Sequence, residues 1–405
     1  MPESWLDLAP DAEFGLATLP YGVFSTDTQG SDRRTGVAIG AYVLDLGAAA
    51  RAAGAPFADL VQDPSLDTLM GAGRPVWDQV RESLITWLTD PGFEEAVRPH
   101  LVERSSVRLH LPFTVADYVD FYASEHHASN VGRIFRPEQE PLTPNWKHLP
   151  IGYHGRAGTV VVSGTEVVRP SGQRRPPGAD APIFGASARL DIEAEVGFVV
   201  GTPSPMGESV PVDSFAEHVF GVFLLNDWSS RDLQAWEYVP LGPFLGKSFA
   251  TSVSPWIVPV AALEAARVAQ PAQDPEPLPY LKGSEPWGLD LQLEVHLNGY
   301  RVASPPFSTM YWTAAQQLAH MTVNGACLRT GDVFASGTVS GPEPEQRGCF
   351  LELTWSGKDP ITLPDGSERT FLEDGDEVTI TATAPGAEGA TVHFGQVHGR
   401  ILPAR

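Results

Sequence analysis

The stretch ARLDIEAEVGFVVG, residues 188–201, sets two glutamates among apolar neighbours. Side chains of a β-strand alternate between faces, so Glu193 and Glu195 share one face, about 6.5 Å apart along the backbone. Leu190, Ile192, Val196, Phe198, Val199 and Val200 flank them, the composition of a strand buried on both faces. The competing reading is the solvated outer face of an edge strand, which this apolar company disfavours. Buried carboxylates of like charge repel unless a cation or a proton lies between them, so the pair points to a bound metal ion.

Working outward, short strand candidates recur with Gly/Pro punctuation: GTVVVSG (158–164), HVFGVFLLND (218–227), LQLEVHLNGYRV (291–302), DVFASGTVSG (332–341), CFLELTW (349–355) and DEVTITATA (376–384). Asn298-Gly299 is a strong two-residue hairpin turn signal. Helical patterns are few here, near 213–219, 229–237 and 312–322. The expected class is therefore a β-rich α+β fold, a barrel or roll of sheets rather than an alternating βαβ array. Residues 1–115 read as a separate module. Two strand-like stretches (GLATLPYGVFSTD, RRTGVAIGAYVLDLG) precede a helix over 75–90, where Pro75 suits the first turn and Val76, Val80, Ile85 and Leu88 fall near helical spacing. No chemistry is concentrated there, so this module reads as structural or oligomerising.

Composition narrows the functional classes. Gly 39 and Pro 37 among 405 residues exceed the usual share of about 12% and fit many tight turns. The net charge of −23 disfavours nucleic acid and anionic membrane surfaces as partners. Two cysteines, Cys327 and Cys349, cannot build a disulfide framework or a cysteine-based zinc site. The N-terminal MPESWLDLAPDAEF carries acids where a signal peptide carries bases, and no run approaches a membrane span. The expectation is a cytoplasmic protein acting on a small molecule.

Four further segments carry candidate chemistry. After the apolar run ending at Asn226-Asp227, Arg231, Gln234 and Tyr238 are spaced to share one helical face, with Asp227 or Ser229 as cap. A cation, an amide and a phenol together suit an anionic substrate, although an ordinary amphipathic helix has the same spacing. GPFLGKS (242–248) imitates a phosphate-binding loop, but it is one residue short and Pro243 removes a needed N–H, which leaves Lys247 as a fixed positive charge. DFYASEHHASNVGRIFR (120–136) packs an acid, a phenol, two histidines and two arginines together, and histidine is the natural base near neutral pH. Glu352 alternates with Leu351 and Leu353 on an expected strand. The pairs His148/His154 and His393/His398 lack accompanying ligands and read as structural.

These segments, with PNWKHLPIGYHGRAGTVVVSG (144–164), YWTAAQQL (311–318) and ASGTVSGPEPE (335–345), resemble the fumarylacetoacetate hydrolase family. The resemblance implies an SH3-like N-terminal domain over 1–115 and a catalytic β-roll over 116–405, assembled as a homodimer. It implies metal-dependent hydrolysis of a carbon–carbon bond in 4-fumarylacetoacetate, giving fumarate and acetoacetate, the last step of tyrosine and phenylalanine catabolism. Carried over by position, the metal acids are Asp120, Glu193, Glu195 and Asp227, with Mg²⁺ or Ca²⁺ as the ion. A second cation site combines Asp227, Lys247 and Thr251. The base is His127 with partner Glu352. The oxyanion contacts are Arg231, Gln234 and Lys247, and the substrate contacts are Tyr122, Arg136, Tyr153, Tyr238 and Thr338.

Overall fold

The computed structural model describes residues 3–9, 12–27 and 29–405. Near the N-terminus, five strands form an antiparallel sheet in the order Leu101–Glu103, Tyr42–Asp45, Arg34–Ile39, Tyr21–Ser25, Arg108–His110. The expected helix is observed as Arg74–Thr89, with Pro75 in its first turn. Its buried stripe is Trp77, Val80, Leu84, Trp87 and Leu88. Val76 and Ile85 sit only at the margin of that core, because the two tryptophans offer more apolar area to bury.

The central sheet has eight strands. Seven run in the order Gly152–His154, Asp117–Phe121, Asp332–Ala335, Ala194–Val200, Val219–Asp227, Thr251–Val253, Val160–Val162, and Val258–Pro259 pairs alongside Val219–Asp227. The middle strands Ala194–Val200 and Val219–Asp227 are buried at every residue. One face, through Val199, Phe223 and Leu225, joins the core of the N-terminal module. The other, through Val196, Phe198 and Leu224, joins the main core. That double covering is why these sequences read as continuous apolar runs rather than as alternating ones.

Register across this sheet aligns the chemistry. Asp120 lies opposite Tyr153 and beside Ala335. Glu195 lies opposite Leu225, and Asp227 opposite Thr251. Residues more than a hundred positions apart in the chain thus meet at one end of neighbouring strands.

A second sheet of five strands contains the hairpin Gln292–Leu297 and Tyr300–Ala303 together with Glu377–Pro385 and Thr391–Leu402. Asn298 and Gly299 form its turn with φ 52° and 82°, the left-handed pair that a two-residue turn requires. Together the curled sheets and short helices make a mixed α/β fold.

Two local expectations are corrected. Glu352 lies on a short helix, Phe350–Leu353, not on a strand. The N–H groups of Phe350 and Leu351 donate to the Asp191 carboxylate, a remote cap that no window around residue 352 reveals. The helix Arg231–Glu237 begins after Ser230, with no side-chain cap. Asp227 cannot serve it, because its carboxylate is engaged by Lys247, Tyr153 and Thr251. Among the described residues, no helix is long and apolar enough to cross a membrane.

Candidate active site and metal centre

A cavity of about 490 Å³ opens at this end of the central sheet. Asp120, Tyr122, His127, Arg136, Tyr153, Glu193, Arg231, Gln234, Tyr238, Lys247 and Thr338 all line it. Arg231, Gln234 and Tyr238 reach it from one helical face, as their spacing predicts, with Tyr238 just past the helix end. Glu195, Asp227, Thr251 and Glu352 lie behind that wall, buried. His126, the neighbour of the expected base, does not line the cavity.

His127 sits in the first turn of the helix Glu125–Phe135, where its N–H donates to the Ser124 cap at 3.2 Å. Its Nδ1 is 2.6 Å from Glu352 Oε2. Asn130 Nδ2 donates to Glu352 Oε1 at 2.9 Å, and Ser340 Oγ donates to Oε2 at 2.8 Å. Burial opposes ionisation of Glu352, but the charge and hydrogen bond of His127, with help from Asn130, bring its pKa down to about 2. Asn130 and Ser340 lie within quoted motifs yet were not singled out, because only the fold brings them to Glu352.

Ligand oxygens of Asp120, Glu193, Glu195 and Asp227 approach within 4.8 Å of one another, all four residues buried. Among the described residues, both oxygens of Glu195 and Oδ1 of Asp120 have no hydrogen-bond partner. Burial, followed by repulsion from the neighbouring carboxylates, pushes Glu195 and Asp120 well above the usual range. Unpartnered buried oxygens on converging acids are what a hard divalent cation satisfies, so the cluster fits one.

Glu193 and Asp227 are also engaged by Lys247, whose Nζ donates to both. Tyr153 donates to Asp227 Oδ2 at 3.1 Å and Thr251 to Oδ1 at 3.1 Å. Burial alone would raise Glu193, but Lys247 and Arg231 hold it well below its ordinary value. Burial works against the Lys247 ammonium, and Asp227 and Glu193 outweigh it, raising its pKa. An ammonium has no lone pair, so Lys247 can serve the expected second cation site only through its carbonyl oxygen.

Arg231 donates through Nε to Asp191 Oδ2 at 2.8 Å, and through Nη1 to Glu193 at 2.7 Å and Gln234 Oε1 at 3.2 Å. Its Nη2 and the Thr338 hydroxyl are buried without partners among the described residues. Two donors held idle beside the cavity are ready to receive an oxygen of a bound molecule.

Known proteins resemble this chain along nearly its whole length. Residues 17–112 match the family model described as fumarylacetoacetase N-terminal, and residues 117–398 match fumarylacetoacetate (FAA) hydrolase C-terminal. The chain belongs to the fumarylacetoacetate hydrolase family. It is 48% identical to the fumarylacetoacetase of Homo sapiens, over 99% of each chain. It is 46% identical to that of Arabidopsis thaliana, again over 99% of each. A fumarylacetoacetate hydrolase from Exiguobacterium antarcticum shares the fold with a TM-score of 0.56 at 18% identity, covering 96% of this chain and 100% of its own. The chain is thus a hydrolase acting on carbon–carbon bonds, as the family resemblance implied.

Proposed function

We propose that this enzyme hydrolyses 4-fumarylacetoacetate to fumarate and acetoacetate, with His127 as base and the four-acid cluster as the metal centre. The observation that carries the reading is that His127, bonded to Glu352, lines the same cavity as Asp120 and Glu193 of the acid cluster, with unpartnered oxygens on Asp120 and on Glu195 behind it. With Nδ1–H donated to an ionised Glu352, the Nε2 lone pair of His127 is free to take a proton from water. The hydroxide oxygen attacks the substrate carbonyl, whose electron pair moves onto oxygen. Arg231 Nη2, Gln234 and Lys247 donate to that developing charge. Collapse breaks the C–C bond, and the leaving carbon takes the proton held by His127, so atoms and charge balance.

A divalent cation held by Asp120, Glu193, Glu195 and Asp227 supplies Lewis-acid polarisation and counter-charge to the diketone oxygens. Oxygen-only side-chain donors favour Mg²⁺ or Ca²⁺. Arg136, Tyr122, Tyr153, Tyr238 and Thr338 contact the substrate, Arg136 suiting a terminal carboxylate. The same reading takes residues 1–115 as an SH3-like domain, 116–405 as the catalytic domain, and the assembly as a cytoplasmic homodimer, for which light scattering on a sizing column is the check.

The test is loss of the diketone ultraviolet absorbance when purified protein meets fumarylacetoacetate. Turnover abolished by chelator and restored by Mg²⁺ or Ca²⁺ supports the reading. Inertness toward this substrate with turnover of acylpyruvates would overturn it.

A further inference from the structure

The segment that places the metal acids begins with an acid that takes no part in the cluster. Asp191 is fully buried, and its two oxygens accept four donors. Oδ2 accepts Arg231 Nε at 2.8 Å and the Leu351 N–H at 2.9 Å. Oδ1 accepts the N–H of Phe350 at 2.7 Å and of Ile192 at 2.7 Å. The first two amides of the Glu352 helix therefore end on the same carboxylate as the Arg231 guanidinium. That helix has no side-chain cap from Cys349, whose Sγ donates instead to Glu352 Oε2 at 3.2 Å. The bridge pairing Asp191 with Ser229 delivers this carboxylate to the start of the Arg231 helix.

We propose that Asp191 is a positioning residue for hydrolysis, one carboxylate that holds the substrate-facing arginine and the base-orienting glutamate in a common frame. Two consequences follow from the geometry. Fixing Nε and Nη1 on Asp191 and Glu193 leaves Nη2 as the one guanidinium nitrogen without a partner, beside the cavity. Fixing the Phe350 and Leu351 amides sets the turn from which Glu352 reaches His127. A guanidinium is a rigid planar fork, so anchoring two of its nitrogens determines the direction of the third. An ordinary structural carboxylate would need only one of these two attachments.

The inference rests on the roles given above to Arg231 and Glu352, and the test separates the two claims. Asp191→Asn keeps the shape but presents an NH₂ to two of the four donors, so two of the four attachments break. The expected result is a kcat lowered about 100-fold with KM changed less than about threefold, the pattern of a lost transition-state interaction. In an Arg231→Gln background, Asp191→Asn should cost less than about tenfold more, because residues acting as a unit are non-additive. Ca²⁺ affinity by calorimetry should stay within about threefold of the parent, since the four metal acids are untouched.

Asp191→Asn at parent kcat, or a loss that is fully additive with Arg231→Gln and with Glu352→Gln alike, overturns the proposal. Arg231→Gln at parent kcat overturns instead the function reading on which it rests. If Asp191→Asn does not fold, Asp191→Glu keeps the charge and both oxygens but displaces the fork. Parent kcat in Asp191→Glu overturns the proposal, and a loss coupled to Arg231→Gln supports it.

Discussion

At the scale of single residues, the site divides into groups already satisfied by the protein and groups held in reserve. His127 and Glu352 satisfy each other, whereas Arg231 Nη2, Thr338 Oγ1 and the Glu195 oxygens are idle. His127→Ala should lower kcat by about 10²–10⁴-fold, the usual worth of a positioned base, read by steady-state loss of the diketone absorbance. Retention of full rate would remove His127 from the base role. Glu352 also fixes a pH effect with a definite sign. Its folded pKa, about 2, lies below its ordinary value of 4.5. The stability it contributes is therefore complete above 4.5 and lost as pH falls from there toward 2. Urea unfolding across that window should show a shallower pH slope in Glu352→Gln than in the parent. Single residues were the most legible level in the sequence. Glu193, Glu195 and Arg231 announced themselves by residue type and company, whereas His127 was set apart from His126 only by the family resemblance. Asn130, Ser340 and Asp191 did not announce themselves, because the partners that matter lie 222, 12 and at least 40 positions away, respectively.

Among elements, the helix Glu125–Phe135 bears the base and is pinned where Gly132 meets the loop after it. A Cβ at Gly132 would lie 1.9 Å from the Pro141 carbonyl oxygen. Alanine is the better helix former by about 1 kcal/mol, yet the clash reverses the sign. Gly132→Ala should cost roughly 1–3 kcal/mol in denaturant unfolding and lower kcat by moving His127. Gly158→Ala, where a Cβ meets nothing within 4 Å, is the control and should stay within about 0.5 kcal/mol. The helix over 74–89, the buried strands and the Asn298-Gly299 hairpin were legible because their signals are local: a period, an apolar run, a turn that needs positive φ. The Glu352 segment was misread as a strand because its decisive hydrogen bonds come from Asp191, outside any local window.

For the whole molecule, the carboxylate cluster ties strands from three distant parts of the chain through charges that repel when bare. Removing a bound divalent ion should therefore destabilise the fold itself. An ion present at a thousand times its Kd contributes about 4 kcal/mol, so chelation should lower the thermal midpoint, and Ca²⁺ or Mg²⁺ should restore it. An unchanged midpoint on chelation would remove the cluster from that role. The sequence alone determined what kind of chemistry was present: acids in apolar strands, a histidine near neutral-pH use, an arginine helix, and the family they resemble. The tertiary structure alone decided which of these groups meet and which stay unpartnered. Strand register, set by two-sided burial, carries Asp120, Glu195 and Asp227 to one end of the sheet. Residue type is a property of the chain, but a shared cavity, a remote cap and an idle donor exist only when separated segments pack together.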